Sequence, residues 1–360
     1  MMFLRTKLRL WIGRVLVLLV PSVLIVIGAT YQAIALRRDR RRYPPPGQMV
    51  DVGGHRLHLQ VTDQDWSGPT VVLEAGLGFP SVEWAWVRQE VAHFAGVVAY
   101  DRAGVGWSES GSKPRDGQRI AQELYAALHA AGIEGSYVLV AHSFGGLFVR
   151  AFADLYPEEV AGMVLVDSSH PDQLERSPLE RRALLRFELI IKVAPYLARL
   201  GLVRLYSLRA KWIRELPPEQ AAEMRAFVAS AEFWVGVGAE AAAWEELTSP
   251  QVRRARSLGD MPLEVLTAPE TVPFDPVHEE LQAELALLSS NSTHHVVDGA
   301  DHGSIVMSPQ NARVVAHYVW RVAEAVRTGR ALGAVGSETA VAATVSIDAR
   351  LRDDHPKKER

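Results

Sequence analysis

The sequence predicts an α/β fold: a mostly parallel sheet with helices on both faces. Three observations point to it. Short apolar runs, each about one strand long, recur between Thr70 and Val297. Stretches of helical periodicity lie between them, as at 118–131, and strands alternating with helices at this spacing imply a parallel sheet. The run Tyr137-Val138-Leu139-Val140 passes directly into Ala141-His142-Ser143-Phe144-Gly145, and a helix-like segment follows from Gly146 to Tyr156. A serine on such a strand-to-helix turn is held out of the fold at the positive end of a helix, where developing negative charge is favoured.

Composition bounds the rest. The chain has 360 residues, 48% of them apolar, enough for a sizeable core. A net charge of −3 argues against a general nucleic-acid binder. The absence of cysteine excludes disulfides, thiolate catalysis and cysteine-ligated zinc. No spacing of histidines or carboxylates suggests a metal site, and no cofactor is expected.

Taken in order, residues 1–14 are basic, with Arg5, Lys7, Arg9 and Arg14. Residues 15–36 form one apolar segment, close to the roughly 20 residues a helix needs to cross a bilayer. Arg37, Arg38, Arg40, Arg41 and Arg42 follow, so arginines bracket the run too tightly for a core helix. A single-pass membrane anchor is the expectation. Ala33-Ile34-Ala35 has the small-residue pattern of a signal cleavage site, but arginines directly after it would hinder processing. Basic residues on both flanks make the positive-inside rule indecisive, so the catalytic domain fits either side.

A basic, proline-rich linker spans 37–48, stiffened by Tyr43-Pro44-Pro45-Pro46-Gly47. Met49 to Val61 alternates around Gly53-Gly54 like a β-hairpin. Further strands are expected at 70–74, 96–100, 137–140, 162–166, 262–266 and 294–297, with a helix at 118–131 ending at Gly132. Residues 168–259 break the pattern. They read as helical throughout, rich in Arg, Leu and Ala and carrying aromatics such as Phe187, Trp212, Trp234 and Trp244. Inserted after a strand, such a stretch is placed to fold over the sheet as a cap. The catalytic domain is expected over 49–328. Residues 329–360 turn to Gly, Ala, Ser and Thr and then to charge, the composition of a disordered tail.

The chemistry is sought around Ser143. Glu74-Ala75-Gly76-Leu77-Gly78 follows a strand, and glycines on either side of Leu77 let its N–H turn into a cavity. The N–H of Phe144, just after the serine, supplies a second donor. Two such donors stabilise a tetrahedral oxyanion, and losing one costs roughly 3–4 kcal/mol of barrier. A plain glycine-rich connection is the alternative. Gly299-Ala300-Asp301-His302-Gly303 follows the last strand, where a histidine reaches across the sheet's end to take the serine proton. His142 is read as a packing or hydrogen-bonding residue beside the turn.

Three carboxylates compete to orient His302. Asp167 ends the strand after the serine's helix, on the rim of a parallel sheet, and is preferred. Asp275 and Glu270 follow the next strand. Asp101 and Arg102 are expected to pair and fix a loop, with Arg102 a lesser candidate for catalysis, and Trp84 and Trp86 to line a pocket mouth or pack. Gly104-Val105-Gly106 lacks the third glycine and the lysine of a phosphate loop.

Four motifs in this order, Glu74-Ala75-Gly76-Leu77-Gly78, Tyr100-Asp101-Arg102-Ala103-Gly104-Val105-Gly106-Trp107-Ser108, Ala141-His142-Ser143-Phe144-Gly145-Gly146 and Gly299-Ala300-Asp301-His302, resemble the α/β-hydrolase fold family from about Val50 to Val326. The resemblance implies an eight-stranded, mostly parallel sheet, a Ser-His-acid triad and a helical cap after the sixth strand. Ala141 stands where the family has glycine, and Glu74-Ala75 where many members have His-Gly. Dehalogenases and epoxide hydrolases of this fold use an aspartate nucleophile, whereas position 143 is serine.

The expected protein is thus a membrane-anchored serine hydrolase acting on a carboxylic ester with a hydrophobic acyl group. Ser143, His302 and Asp167 form its triad and Leu77 and Phe144 its oxyanion donors. A non-catalytic tethered binding protein, a cofactor-free perhydrolase and a peptidase are the alternatives.

Overall fold

The computed structural model describes residues 2–62, 68–269 and 275–335. Glu270 and most of the expected tail lie outside them. A hairpin of β1 (Gln48–Asp51) and β2 (Arg56–Thr62) turns at Gly53 and Gly54, whose φ values of 93° and 111° suit glycine. β3 (Thr70–Glu74), β4 (Val97–Asp101), β5 (Tyr137–His142), β6 (Val160–Val166), β7 (Leu263–Thr267) and β8 (Ser292–Val296) complete an eight-stranded sheet. Its order is β1-β2-β4-β3-β5-β6-β7-β8. β1 and β2 pair antiparallel, as do β2 and β4, and every other neighbouring pair is parallel.

The helices are α1 (Met2–Arg42), α2 (Ala85–Val91), α3 (Gly117–Ala130), α4 (Gly145–Leu155), α5 (Gln173–Arg176), α6 (Pro178–Arg199), α7 (Leu202–Ser207), α8 (Pro218–Val228), α9 (Ala231–Ala243), α10 (Ser249–Arg253), α11 (Pro276–Ala286), α12 (Ser304–Met307) and α13 (Pro309–Thr328). The central strands are apolar on both faces, so alternate residues feed two cores. Val138 and Val140 of β5 join Val71 and Leu73 of β3 and the buried stripe Val315, Val319 and Val322 of α13. Leu139 and Ala141 turn the other way, to Leu124 of α3 and Leu147 and Phe152 of α4. Each fully buried Val, Leu or Phe contributes at most about 1.5–3 kcal/mol of transfer free energy.

Local signals set the helix ends. α13 starts where the Ser308 side chain accepts the N–H of Asn311 and Pro309 takes the first turn. It stops at Gly329, whose φ is 66°. α3 starts on Asp116, whose side chain accepts from Gln118 and Arg119. Between β6 and β7 the chain is helical from α5 through α10, with a π-helical turn at Trp244–Thr248 joining the last two.

This insertion lies against the loop after β3, the start of α2 and the connection after β4. Phe79 meets Trp212 at 5.5 Å between ring centroids, Trp107 meets Phe227 at 4.8 Å, and Trp86 Nε1 donates to Glu215 O at 2.8 Å. Trp84 is fully buried and packs in the core, whereas Trp86 is half-buried under the insertion. α1 is one long helix whose stretch from Leu19 onward is long and apolar enough to cross a membrane and is almost wholly uncovered by protein.

Candidate active site

Parallel pairing brings the strand ends together. Glu74 stands beside Ala141 and His142 beside Val166, so the connections after β3, β5 and β6 open at one edge of the sheet. Ser143 occupies the turn between β5 and α4 with φ of 55°, a left-handed conformation that a non-glycine residue takes at a cost. The turn is held on both sides: Ser143 N–H donates to Val166 O at 3.1 Å, and Ser169 N–H donates to Ser143 O at 2.8 Å. Gly145 permits the tight entry to α4. A Cβ there would stand 2.6 Å from Ala75 O and 2.8 Å from Glu74 O.

The structure brings Ser143, His302 and Asp167 into one hydrogen-bonded chain. Ser143 Oγ lies 2.8 Å from His302 Nε2, and His302 Nδ1 lies 2.6 Å from Asp167 Oδ2. The histidine arrives on the connection between β8 and α12, which Asp301 shapes by accepting the N–H groups of Gly303 and Ser304. Its side chain is 42% exposed, while Asp167 is buried. The other Asp167 oxygen accepts the N–H of Ala268 at 2.9 Å and lies 3.0 Å from His278 Nε2. Burial by itself would raise the Asp167 carboxyl, but hydrogen bonds from His278 and His302 outweigh it and hold the group well below the usual carboxylate range.

Asp275 is engaged elsewhere. It caps α11 through the N–H of Val277 and accepts the hydroxyl of Ser177. Glu270 falls outside the described residues. His278, one turn into α11, was not singled out in the sequence. Its partner Asp167 is 111 residues away, and nothing in the local pattern signals the contact.

The loop after β3 runs beside the serine. A Cβ on Gly76 would lie 3.3 Å from Ser143 Cβ, so Leu77 follows at the edge of the same site. Among the described residues no partner takes the N–H of Leu77 or of Phe144. The loop is fixed by its neighbours. Gly76 N–H donates to Glu83 Oε2 at 2.9 Å and Gly78 N–H to Glu240 Oε2 of α9 at 2.8 Å. Gly78 has φ of 67° and no room for a Cβ, which would meet Val237 of α9 at 2.2 Å.

Asp101 and Arg102 do not pair as expected. Consecutive residues at the end of a strand point to opposite faces. Asp101 accepts from Ser81 N–H at 2.6 Å and Trp107 N–H at 3.0 Å and lies 3.0 Å from His58 Nδ1. Arg102 is buried between Glu74 at 2.5 Å and Glu240 at 2.8 Å and donates to the carbonyls of Ala75 and Gly76. It therefore braces the loop from below. Burial pushes the Glu74 carboxyl up to about 7, against the opposing pull of Arg102.

His142 is buried beside the turn. Its Nδ1 lies 2.6 Å from Glu83 Oε1 and its Nε2 2.7 Å from the carbonyl oxygen of His302. Both ring nitrogens thus face oxygen atoms, an arrangement that favours the charged ring. Burial lowers the pKa of this ring, but Glu83 outweighs it and the net shift is upward. Glu83 thereby ties the Gly76 loop, the turn at Ser143 and the connection bearing His302 into one frame.

A sheet of this order, with serine on the turn after its fifth strand and histidine after its last, defines the hydrolase-type α/β class. The sequence profile described as "Alpha/beta hydrolase family" matches residues 71–317. The chain belongs to that family. Among curated proteins it is 34% identical over 106 residues to the uncharacterized protein YqjL of Bacillus subtilis, covering 29% of this chain and 42% of that protein. It is 31% identical over 117 residues to a vacuolar membrane protein of Saccharomyces cerevisiae, covering 31% of this chain and 18% of that protein. The matched stretches thus span less than half the length of these relatives. In fold it is similar to a thermophilic esterase from Thermogutta terrifontis, with TM-score 0.57, 22% identity and coverage of 77% of this chain and 98% of that one. It is also similar to an epoxide hydrolase from Bacillus megaterium, with TM-score 0.61, 18% identity and coverage of 76% and 99%.

Proposed function

We propose that the chain is a membrane-anchored serine hydrolase that cleaves carboxylic esters. One observation carries the reading: the hydrogen-bonded chain Ser143–His302–Asp167, with the serine on a strained turn beside the Gly76-Leu77-Gly78 loop. In this reading Ser143 Oγ attacks the ester carbonyl as His302 Nε2 takes its proton. The N–H groups of Leu77 and Phe144 receive the oxyanion. Asp167 keeps Nδ1–H in place and stabilises the imidazolium that forms. His302 then returns the proton to the leaving alkoxide, and water activated by the same ring releases the acid. Serine at position 143 separates this chemistry from that of relatives built around an aspartate nucleophile.

The helical insertion acts as the cap that closes this edge, and its apolar, arginine-dotted surface suits a hydrophobic acyl group. α1 supplies the anchor. The solubilised full chain is expected to react with a fluorophosphonate probe and its Ser143→Ala variant to remain unlabelled. A well-folded wild type that takes no label overturns the assignment. Turnover across p-nitrophenyl esters of increasing acyl length then defines the substrate class.

A further inference from the structure

The outer side of the cap carries an apolar face of its own. Leu189, Ile190, Val193 and Leu197 of α6 and Leu202 and Leu205 of α7 are each between 39% and 66% exposed. On α6 they lie opposite the buried Ile191, Ala194 and Ala198, which face the protein. Single apolar residues are common on protein surfaces, whereas a contiguous face of large ones marks contact with something apolar.

That face adjoins α1. Gly28 approaches so closely that a Cβ on it would stand 2.6 Å from Leu200 O, and a Cβ on Gly201 would stand 3.2 Å from the Tyr31 ring. Gln32 Nε2 donates to Ala229 O at 2.7 Å, and Arg204 pairs with Asp39 at 2.7 Å. The turn between α6 and α7 is therefore packed against the apolar part of α1 at Gly28 and Tyr31, with the end of α8 bonded to Gln32 and α7 paired to Asp39 among the arginines. Gly28 lies roughly 13 Å along the helix before Arg37. If the arginines from Arg37 to Arg42 sit among lipid phosphates, the contact at Leu200 lies below them, at the level of acyl chains. Exposed Arg182, Arg186, Arg199, Arg209 and Lys211 rim the same elements and suit anionic headgroups.

We propose that this face of α6 and α7 is immersed in the bilayer that α1 crosses, so that the cap rests in the membrane rather than above it. The inference builds on the reading of α1 as a membrane anchor and adds a second, monotopic contact at the level of the acyl chains just below the headgroups.

The chain has no cysteine, so single cysteines report cleanly. Leu189→Cys and Leu205→Cys probe the face, Val23→Cys probes α1, and Leu287→Cys, at a residue 82% exposed, serves as the aqueous control. Each full-length variant, checked by its far-UV circular-dichroism melt, is labelled with the fluorophore NBD. It is then reconstituted into phosphatidylcholine–phosphatidylglycerol vesicles. Labels at 189 and 205 are expected to shift to the blue and to be quenched by lipids doxylated high on the acyl chain by roughly twofold or more relative to 287. Aqueous emission at 189 and 205 with lipid quenching at 23 overturns the inference and leaves the anchor standing. A blue shift without lipid quenching also overturns it, because protein, such as a second copy, then covers the face. Aqueous emission at 23 overturns the anchor and the inference together.

Discussion

Asp167 accepts from at least three donors, His302, His278 and the N–H of Ala268. Such a carboxylate stays ionised throughout the working range of an enzyme, which the proposed role requires. Asp167→Asn presents an amide to His302 and disrupts its tautomer, so kcat should drop by roughly 10⁴-fold. Asp275→Asn should leave kcat near the wild-type value and cost about 1 kcal/mol of stability, through the altered bond to Ser177, since asparagine caps a helix as well as aspartate. The reverse pattern in ester hydrolysis would assign the acid to Asp275. At this scale the sequence is readable where one residue's role follows from its position in an element. Ser143, His302 and Asp167 each sit just beyond a strand, and that placement is legible. His278 is not, because its meaning depends on a partner brought in from another strand. The expected Asp101–Arg102 pair does not form for a related reason: neighbours in sequence are not neighbours in space, and strand alternation sends the two side chains apart.

The loop after β3 is the element on which most constraints converge. Glu83 grips Gly76 from one side, and the same carboxylate bonds His142, which in turn bonds the carbonyl of His302. Glu83→Gln keeps the shape of the side chain but removes the charge that raises the pKa of His142. The expected outcome is a fall in kcat of roughly 10–100-fold with KM little changed, since a small misplacement of the reacting groups is costly. An unchanged kcat would show that Glu83 serves packing alone. Glu74 ends β3 and titrates in the opposite sense to most carboxylates. Its folded pKa, about 7, lies above its ordinary value of 4.5, so the unfolded chain releases this proton at lower pH than the folded one. Stability linked to Glu74 is therefore fully present below about 4.5 and is lost as pH rises through about 7. Thermal melts of the wild type should lose Tm from about pH 5 to 7.5 relative to Glu74→Gln, whose amide does not titrate. Parallel curves would remove Glu74 as the source. None of these buried charges was legible as a network, because glutamates at 74, 83 and 240 share no spacing that a sequence pattern could display.

For the whole molecule, periodicity carried the reading a long way. The hairpin at Gly53-Gly54, the apolar central strands and the helix closing at Gly132 follow from local pattern and turn chemistry, and the structure has all three. The register of eight strands does not follow from pattern, since strands apolar on both faces show no in-and-out alternation from which it could be read. Nor does the way α1 meets α6 and α7, which depends on small residues, Gly28 and Gly201, placed opposite each other across a long separation in sequence. Glu240 has a further consequence. It belongs to α9, yet it carries both the guanidinium of Arg102 and the N–H of Gly78. α9 cannot swing away without weakening a buried ion pair, and removing one partner of such a pair outright costs about 3–5 kcal/mol. α9 and the loop beside Ser143 are therefore held by one carboxylate: a displacement of α9 strains the contacts that fix the loop, so a substitution far out on the helical insertion can disturb the edge of the sheet where Ser143 sits.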